Sequence, residues 1–427
     1  MRKLLKNKRI LKGCHIGNML ALQTKKRHIS FHTPGHKQKG WDITELSFSD
    51  NLSSPHGCIA RAQEDIARIL GANKSFIITD GSTAGVLSML FSAKSLGVKR
   101  IAVCENSHKS VFNGIALLSL TPVVVDKRTK NAIPLPVSVE DFQNVEADAI
   151  LLTSPDYYGN IPDLEAFRRY CDNTGKLLLI DGAHGGHLHF EKTVYAGTYA
   201  DLWVDGVHKS LPALTQGAIV SARTESFAHA LEKGVDVFRT TSPSYPIMAS
   251  VEYATKYPRN EELEHLATLW ETSCDRIYFG GDWTKLCALF GKSAITVHAL
   301  LQKEGIFAEF CDGNVIGFYL SPATKKKDFF RLQKRLHVLF EKYPYEQVQD
   351  TPTPVLLQKS GEKEWIPLEK SIGQVCAENC GLFPPCTPFI RVGERITREK
   401  ITLLQEADNV FGLQENKISV FTKENEE

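Results

Sequence analysis

Three stretches of this chain hold side chains that could do chemistry together. In FIITDGSTAGVLSMLF an apolar run passes through Gly81, Ser82 and Thr83 into a helical pattern. Backbone N–H groups at such a helix start, with the two hydroxyls, form a cradle for a phosphate, although Ser and Thr are also ordinary helix caps. In LLLIDGAHGGHLHF, Asp181 stands at the end of an apolar run. A carboxylate buried there is costly without a cation or strong donor beside it, and a protonated ring nitrogen is such a partner. In DGVHKSLPALTQGA, Lys209 follows another apolar run, directly after His208. A lysine beyond a strand is ordinarily solvated, whereas a buried one has a lowered pKa and a free amine able to condense with an aldehyde.

Taken in order, a phosphate turn, a strand-end carboxylate and a strand-end amine are the three parts of a pyridoxal 5'-phosphate site. A competing reading takes His184, His187 and His189 as metal ligands. Alternation puts His187 and His189 on one face, but His184 falls in a glycine turn and no second acidic ligand stands nearby, so no metal is expected. Cys376, Cys380 and Cys386 in CAENCGLFPPC match no zinc spacing and read as ordinary thiols.

These residues need a scaffold that brings strand ends together. SFIIT, RIAVCE, TPVVVD, DAILLT, KLLLID and DLWVDG read as strands, with STAGVLSMLFSAKSLG and PDLEAFRRYCDNTG as helices between them. The strands are almost continuously apolar, which predicts burial on both faces and an α/β domain with a mainly parallel sheet, whose ligands bind at the carboxyl ends of the strands. From about residue 250 longer amphipathic segments take over, SAITVHALLQKEG and KKDFFRLQKRLHVLFEKY, and YPYEQVQDTPTPV reads as a linker or rim. The expected organisation is an amino-terminal arm over 1–38, a cofactor-binding major domain over 39–250 and a small α+β domain over 251–427.

With 42% apolar and 23% charged residues, the 427-residue chain has material for a large core and a smaller partner. A formal charge of +2 and the lack of a basic run interleaved with aromatics argue against nucleic acid. No stretch is long and apolar enough to suggest a membrane span. The first 28 residues contain no acid. They read as a basic helical arm or a targeting peptide without the features of a secretory signal, or as residues preceding a true start at Met19. Ten scattered cysteines suit reduced thiols in a cytoplasmic protein.

The motifs FHTPGHK, DGSTAGV, ENSHKSV, TSPDYYGN, DGAHGGH, HKSLPALTQGA, TSPSYPIMAS and PPCTPFIRVGERI occur in an order that resembles the ornithine/lysine/arginine decarboxylase family, in a short form without an amino-terminal wing domain. That resemblance covers nearly the whole chain. It implies the aspartate aminotransferase-like fold (fold type I), with a mainly parallel seven-stranded sheet flanked by helices. It implies pyridoxal phosphate as cofactor and decarboxylation of arginine, lysine or ornithine to the amine and CO2, in a polyamine role. It further implies a Schiff base on Lys209, Asp181 at the pyridine nitrogen, and His108 stacked on the ring with Ala183 and His184 near it. Ser82, Thr83 and His208 would approach the phosphate, and Thr241 and Ser242 that of a neighbouring subunit, in a homodimer or homotetramer with sites at the interface. Glu394 in RVGERI, by position, and His36 in FHTPGHK stand as the substrate-side residues.

The chain departs from the family pattern at Asp80, commonly Asn, at Gly206 and Val207, often a Ser-Thr pair, and at Gly182, commonly Glu. A lost hydroxyl beside a phosphate removes about 1.5–3 kcal/mol unless a neighbour replaces it, and Asp80 is unfavourable there unless its side chain turns away. Two other readings therefore stand beside the decarboxylase: another fold-type-I enzyme such as an aminotransferase or lyase, and a non-catalytic binding or regulatory protein on a degenerate scaffold.

Overall fold

The computed structural model describes residues 13–25, 29–37, 41–126, 128–130, 133–346, 361–382, 388–406 and 409–422. Seven strands, β1 (Lys74–Ile78), β2 (Arg100–Cys104), β3 (Thr121–Val125), β4 (Ala149–Thr153), β5 (Leu177–Gly182), β6 (Leu202–Asp205) and β7 (Ala218–Ala222), form one sheet in the order β1-β7-β6-β5-β4-β2-β3. All six runs read as strands are strands, and β2 to β6 run parallel. The seventh, β7, returns antiparallel between β1 and β6.

The apolar continuity has a geometric cause. Successive side chains on a strand face opposite ways, and here each face meets its own core. Ile77, Ala102, Ile150, Ile180 and Ile219 pack on one side with helices α2 (Cys58–Leu70), α5 (Leu164–Thr174) and α8 (Tyr245–Thr255). Ile78, Val103, Leu151, Leu179 and Val220 pack on the other with α3 (Gly81–Ser95), α4 (Lys109–Leu117) and α7 (Glu225–Phe238). Register sets Asp181 beside Thr153 of β4 and Val204 of β6, at the carboxyl edge of the parallel strands.

Helix α1 (His15–Gln23) is built into the major domain. Ile16 and Leu20 are buried in the same core as α2 and α8. The fully buried carboxylate of Glu252 accepts the backbone N–H groups of His15 and of Ile16 (2.9 Å), two of the orphan donors of the helix start. Residues on both sides of Met19 are thus structural parts of the domain.

Beyond α8 the chain forms two further cores. In the first, α9 (Glu261–Ser273), α10 (Ala294–Lys303) and α11 (Lys326–Lys342) pack on an antiparallel sheet of β8 (Ile277–Tyr278), β9 (Lys285–Leu289), β10 (Phe310–Cys311) and β11 (Val315–Tyr319). In the second, Cys376, Cys380, Ile390, Ile396, Ile418 and Val420 cluster beside a sheet of Lys363–Pro367, Leu413–Gln414 and Lys417–Phe421. Cys376 and Cys380 are buried and free; Cys386 and most of the Pro-rich linker lie outside the described residues. Among the described residues no helix is long and apolar enough to cross a membrane.

Candidate active site

Lys209 sits on the one-turn helix α6 (Val207–Ser210) that follows β6. The turn is held by Lys209 N–H donating to Gly206 O (2.9 Å) and His208 N–H donating to Gly217 O (3.1 Å). Lys209 Nζ lies 3.1 Å from His184 Nε2 and 5.9 Å from the centre of the Tyr157 ring, and the His184 and Tyr157 rings are 4.5 Å apart. Both rings are buried. Burial, reinforced by the charges of Lys209 and Lys285, holds His184 well below the usual histidine range, so its ring is neutral against the amine.

Asp181 is buried, and its Oδ1 accepts the N–H of Ala183 at 3.1 Å. Burial pushes its carboxyl upward while the charge of Lys209 opposes that shift. His108 caps the start of α4: its Nδ1 accepts the N–H of Ser110 at 3.1 Å. Burial, then the charges of Lys209 and Lys109, push its pKa down to about 3. The ring is therefore neutral with the proton on Nε2, a flat uncharged face beside the amine. Burial, with the charge of Lys209, lowers His208 as well, whose Nδ1 is 2.9 Å from Gly217 O.

The phosphate turn opens α3 at Gly81, whose φ of +79° suits glycine and whose N–H donates to Gln216 O (2.9 Å). Ser82 Oγ is buried at this helix start without a hydrogen-bond partner among the described residues, while Thr83 is exposed. Asp80 does turn away: its Oδ2 takes the Thr240 N–H at 3.4 Å and its charge is felt by Arg239. A Cβ on Gly206 would fall 2.2 Å from Ala183 O and 2.7 Å from Ser82 Oγ, and Val207 is buried in the core. The backbone approach leaves no room for a side chain at 206, and the Ser82 hydroxyl already occupies the adjoining space.

The remaining sequence candidates are placed differently. Thr241 and Ser242 are exposed, Ser242 N–H donating to Thr240 Oγ1 (3.1 Å). His36 pairs with Asp42 at 3.0 Å. Glu394 is not a surface acid: it is buried, with one oxygen on the Arg391 N–H (3.0 Å) and the other on the ammonium of Lys400. Its loop reaches the major domain through Arg391 Nη1, 3.0 Å from Glu105 and 3.2 Å from Asp126, at the ends of β2 and β3 beside His108. The three histidines once weighed as metal ligands go to different partners, His184 to Lys209, His187 to Asp282 (2.8 Å) and His189 to Gly186 O (2.8 Å). Tyr157 was not singled out from the sequence, although it lies in the TSPDYYGN motif.

These groups fit pyridoxal phosphate. Ser82 Oγ, an orphaned buried hydroxyl at a helix start, would hold the phosphate with the neighbouring N–H groups. Asp181 would take the ring nitrogen, His108 would cover the ring and Lys209 would meet the aldehyde.

Comparison with known proteins agrees. The sequence profile described as "Orn/Lys/Arg decarboxylase, major domain" matches residues 40–277. An uncharacterised protein of Bacillus subtilis (strain 168) is 29% identical over 88% of this chain and 90% of its own length. The arginine decarboxylase of Halalkalibacterium halodurans is 26% identical over 90% of this chain and 91% of its own. Among solved structures, the constitutive lysine decarboxylase of Escherichia coli superposes with a TM-score of 0.72 at 18% identity, covering 97% of this chain and 82% of that one. Lysine decarboxylase A of Pseudomonas aeruginosa gives 0.74 at 16% identity, covering 96% and 80%. The fold is thus that of the pyridoxal phosphate enzymes of fold type I, and the chain belongs to the Orn/Lys/Arg decarboxylase family of pyridoxal phosphate-dependent amino acid decarboxylases.

Proposed function

We propose that this protein decarboxylates arginine, lysine or ornithine, with Lys209 as the amine that carries the cofactor. The observation that carries the reading is Lys209 Nζ at 3.1 Å from a neutral, buried His184, on the strand end next to that of Asp181. Bound pyridoxal phosphate supplies an aldehyde for the substrate amine and a ring that accepts the electron pair left by departing CO2.

The chain's own residues do the rest. Asp181, buried at the carboxyl edge of the sheet, keeps a proton on the ring nitrogen. Neutral His184 Nε2 accepts a hydrogen bond from the Lys209 amine, which fixes the direction of Nζ within the site. His108 and Tyr157 close it with uncharged surface, and a water-poor site favours loss of the carboxylate charge. Thr241 and Ser242, exposed on this chain, reach the phosphate of a second copy in a homodimer or homotetramer. Glu394 receives the distal cation of the substrate, which must then displace Lys400, and His36 contributes from the amino-terminal segment.

The test is direct. Holo-protein is incubated with each of the three amino acids while CO2 and agmatine, cadaverine or putrescine are measured, and borohydride-treated protein is mapped by peptide mass. CO2 with the matching amine, and label on Lys209, support the reading. A keto acid without CO2 points to transamination, and protein that stays colourless with pyridoxal phosphate points to a non-catalytic scaffold.

A further inference from the structure

Behind His184 lies a cluster of charged groups from which solvent is excluded. His187 and Asp282 are at most 1% exposed, and Thr284 and Lys285 are completely buried. His187 belongs to the loop after β5, the other three to the start of β9 in the small domain. Lys285 Nζ donates to Thr284 Oγ1 (2.7 Å) and to the backbone carbonyl of His184 (3.2 Å), and lies 3.2 Å from Asp282 Oδ2. Asp282 Oδ1 receives His187 Nε2–H (2.8 Å), the Thr284 N–H (2.9 Å) and the Thr284 hydroxyl (2.7 Å). Against the cost of burial, His187 and Lys285 hold the Asp282 carboxyl well below its usual range. Among the described residues His187 Nδ1 has no hydrogen-bond partner, so the ring is held in the cluster through Nε2 alone. The same ammonium stands 4.8 Å from the Tyr319 ring, whose centre is 5.5 Å from that of His184, and Tyr319 Oη donates to Tyr157 O at 3.1 Å.

Stability does not account for such a cluster, because a buried ion pair can often be replaced by apolar groups at no loss. Its geometry is more informative. Among the described residues the Lys285 side chain's hydrogen bond toward the major domain ends on His184, the residue whose ring faces Lys209, and Tyr319 fixes the adjoining Tyr157 from the same side.

We propose that Lys285, with Asp282, Thr284 and His187, is a positioning clamp that docks the small domain on the His184 carbonyl and so holds the His184 ring against the cofactor-bearing lysine. The proposal rests on the reading of Lys209 given above. Groups that face Lys209 from the elements around it are His184 and Tyr157 from the loops after β5 and β4, Asp181 from β5, His108 from the start of α4 and His208 beside it. Loosening the clamp changes one of these, His184, and leaves the others in place.

The experiment compares the parent holoenzyme with Lys285→Met and with Asp282→Asn/Lys285→Met. The single variant leaves Asp282 without its lysine and melts early; the double variant removes both groups and recovers stability. The clamp predicts that the double variant, though stable, shifts the pH midpoint of the visible absorption band of bound pyridoxal phosphate by about half a unit or more. It also predicts a kcat about tenfold lower, with KM changed less than about threefold. A stable double variant with the parent's midpoint and kcat shows that the cluster only glues the domains together and overturns the proposal. A parent whose cofactor borohydride does not fix on Lys209 overturns the underlying reading and the clamp with it.

Discussion

Gly206 runs so close to Ala183 that a Cβ there would lie 2.2 Å from the Ala183 carbonyl oxygen. The residue that looks in the sequence like a lost phosphate-binding hydroxyl is therefore required by the backbone, and the hydroxyl of Ser82 lies beside it. Gly206→Ser should weaken the site although it restores the more common residue, since overpacking costs about 1–3 kcal/mol. Ser82→Ala should lower pyridoxal phosphate affinity about ten- to a hundredfold while leaving the melting temperature of the cofactor-free protein nearly unchanged. Cofactor titration by absorbance, with thermal melts of both variants, checks this; equal affinity in Ser82→Ala would remove that serine from the phosphate site.

Asp181 separates function from stability. In Asp181→Asn the side-chain oxygen still accepts the Ala183 N–H, so the loop keeps its shape, but the charge proposed to hold the ring nitrogen is gone. Decarboxylation should fall by a factor on the order of 100 or more. Without cofactor, the variant should melt at the parent's temperature or above it, because a buried carboxylate short of donors is costly. Steady-state rates and paired melts decide the matter.

How much of this was legible in the sequence follows from where the partners lie. Five of the six strand runs were plain because they are buried on both faces, while TPVVVD, at the sheet edge, is largely exposed; Lys209 and Asp181 stood out because both follow such buried runs in one domain. Asp80 was expected to be unfavourable beside a phosphate unless its side chain turns away, and its Oδ2 accepts the Thr240 N–H. Interactions between distant segments left no local signal: Glu252 meets Ile16 across 236 positions and His187 meets Asp282 across 95. Neither residue type nor spacing announces such pairs. Glu394 looked equally like a surface acid, and only the fold shows it buried against Lys400. Beyond residue 250 the apolar side chains gather into more than one cluster, a division that periodicity alone does not announce.

Asp205, at the end of the strand leading to Lys209, gives a pH signature. It is buried, its Oδ2 accepting from Tyr195 Oη (2.7 Å) and Trp203 Nε1 (3.0 Å), and burial raises its pKa to about 7 against these two donors. A carboxyl with a raised folded pKa binds its proton more tightly in the native state than in the unfolded chain. Its contribution therefore falls as pH rises from the unfolded carboxyl value toward 7 and is lowest above that. Asp205→Asn mimics the protonated form, so its melting temperature relative to the parent should climb by several degrees between about pH 4 and pH 8. A difference that stays flat across that range would show that Asp205 is ionised throughout.

The anchoring of α1 bears on where the functional chain must start. Glu252 is fully buried, and its charge is met by the His15 and Ile16 N–H groups and by Lys256, 3.4 Å away, which also pairs with Asp65 at 2.7 Å. A protein beginning at Met19 would lose those two N–H groups together with the buried side chains of Cys14 and Ile16. Leaving a buried carboxylate partly unmatched costs about 3–5 kcal/mol by itself. The shortened protein should accordingly unfold at clearly lower urea concentration than the full chain. In the shortened background Glu252→Gln should recover part of the difference, since it removes the stranded charge, whereas in the full chain the same substitution should destabilise. Urea unfolding of the four proteins tests the coupling; if Glu252→Gln costs the same in both backgrounds, the carboxylate does not anchor the helix.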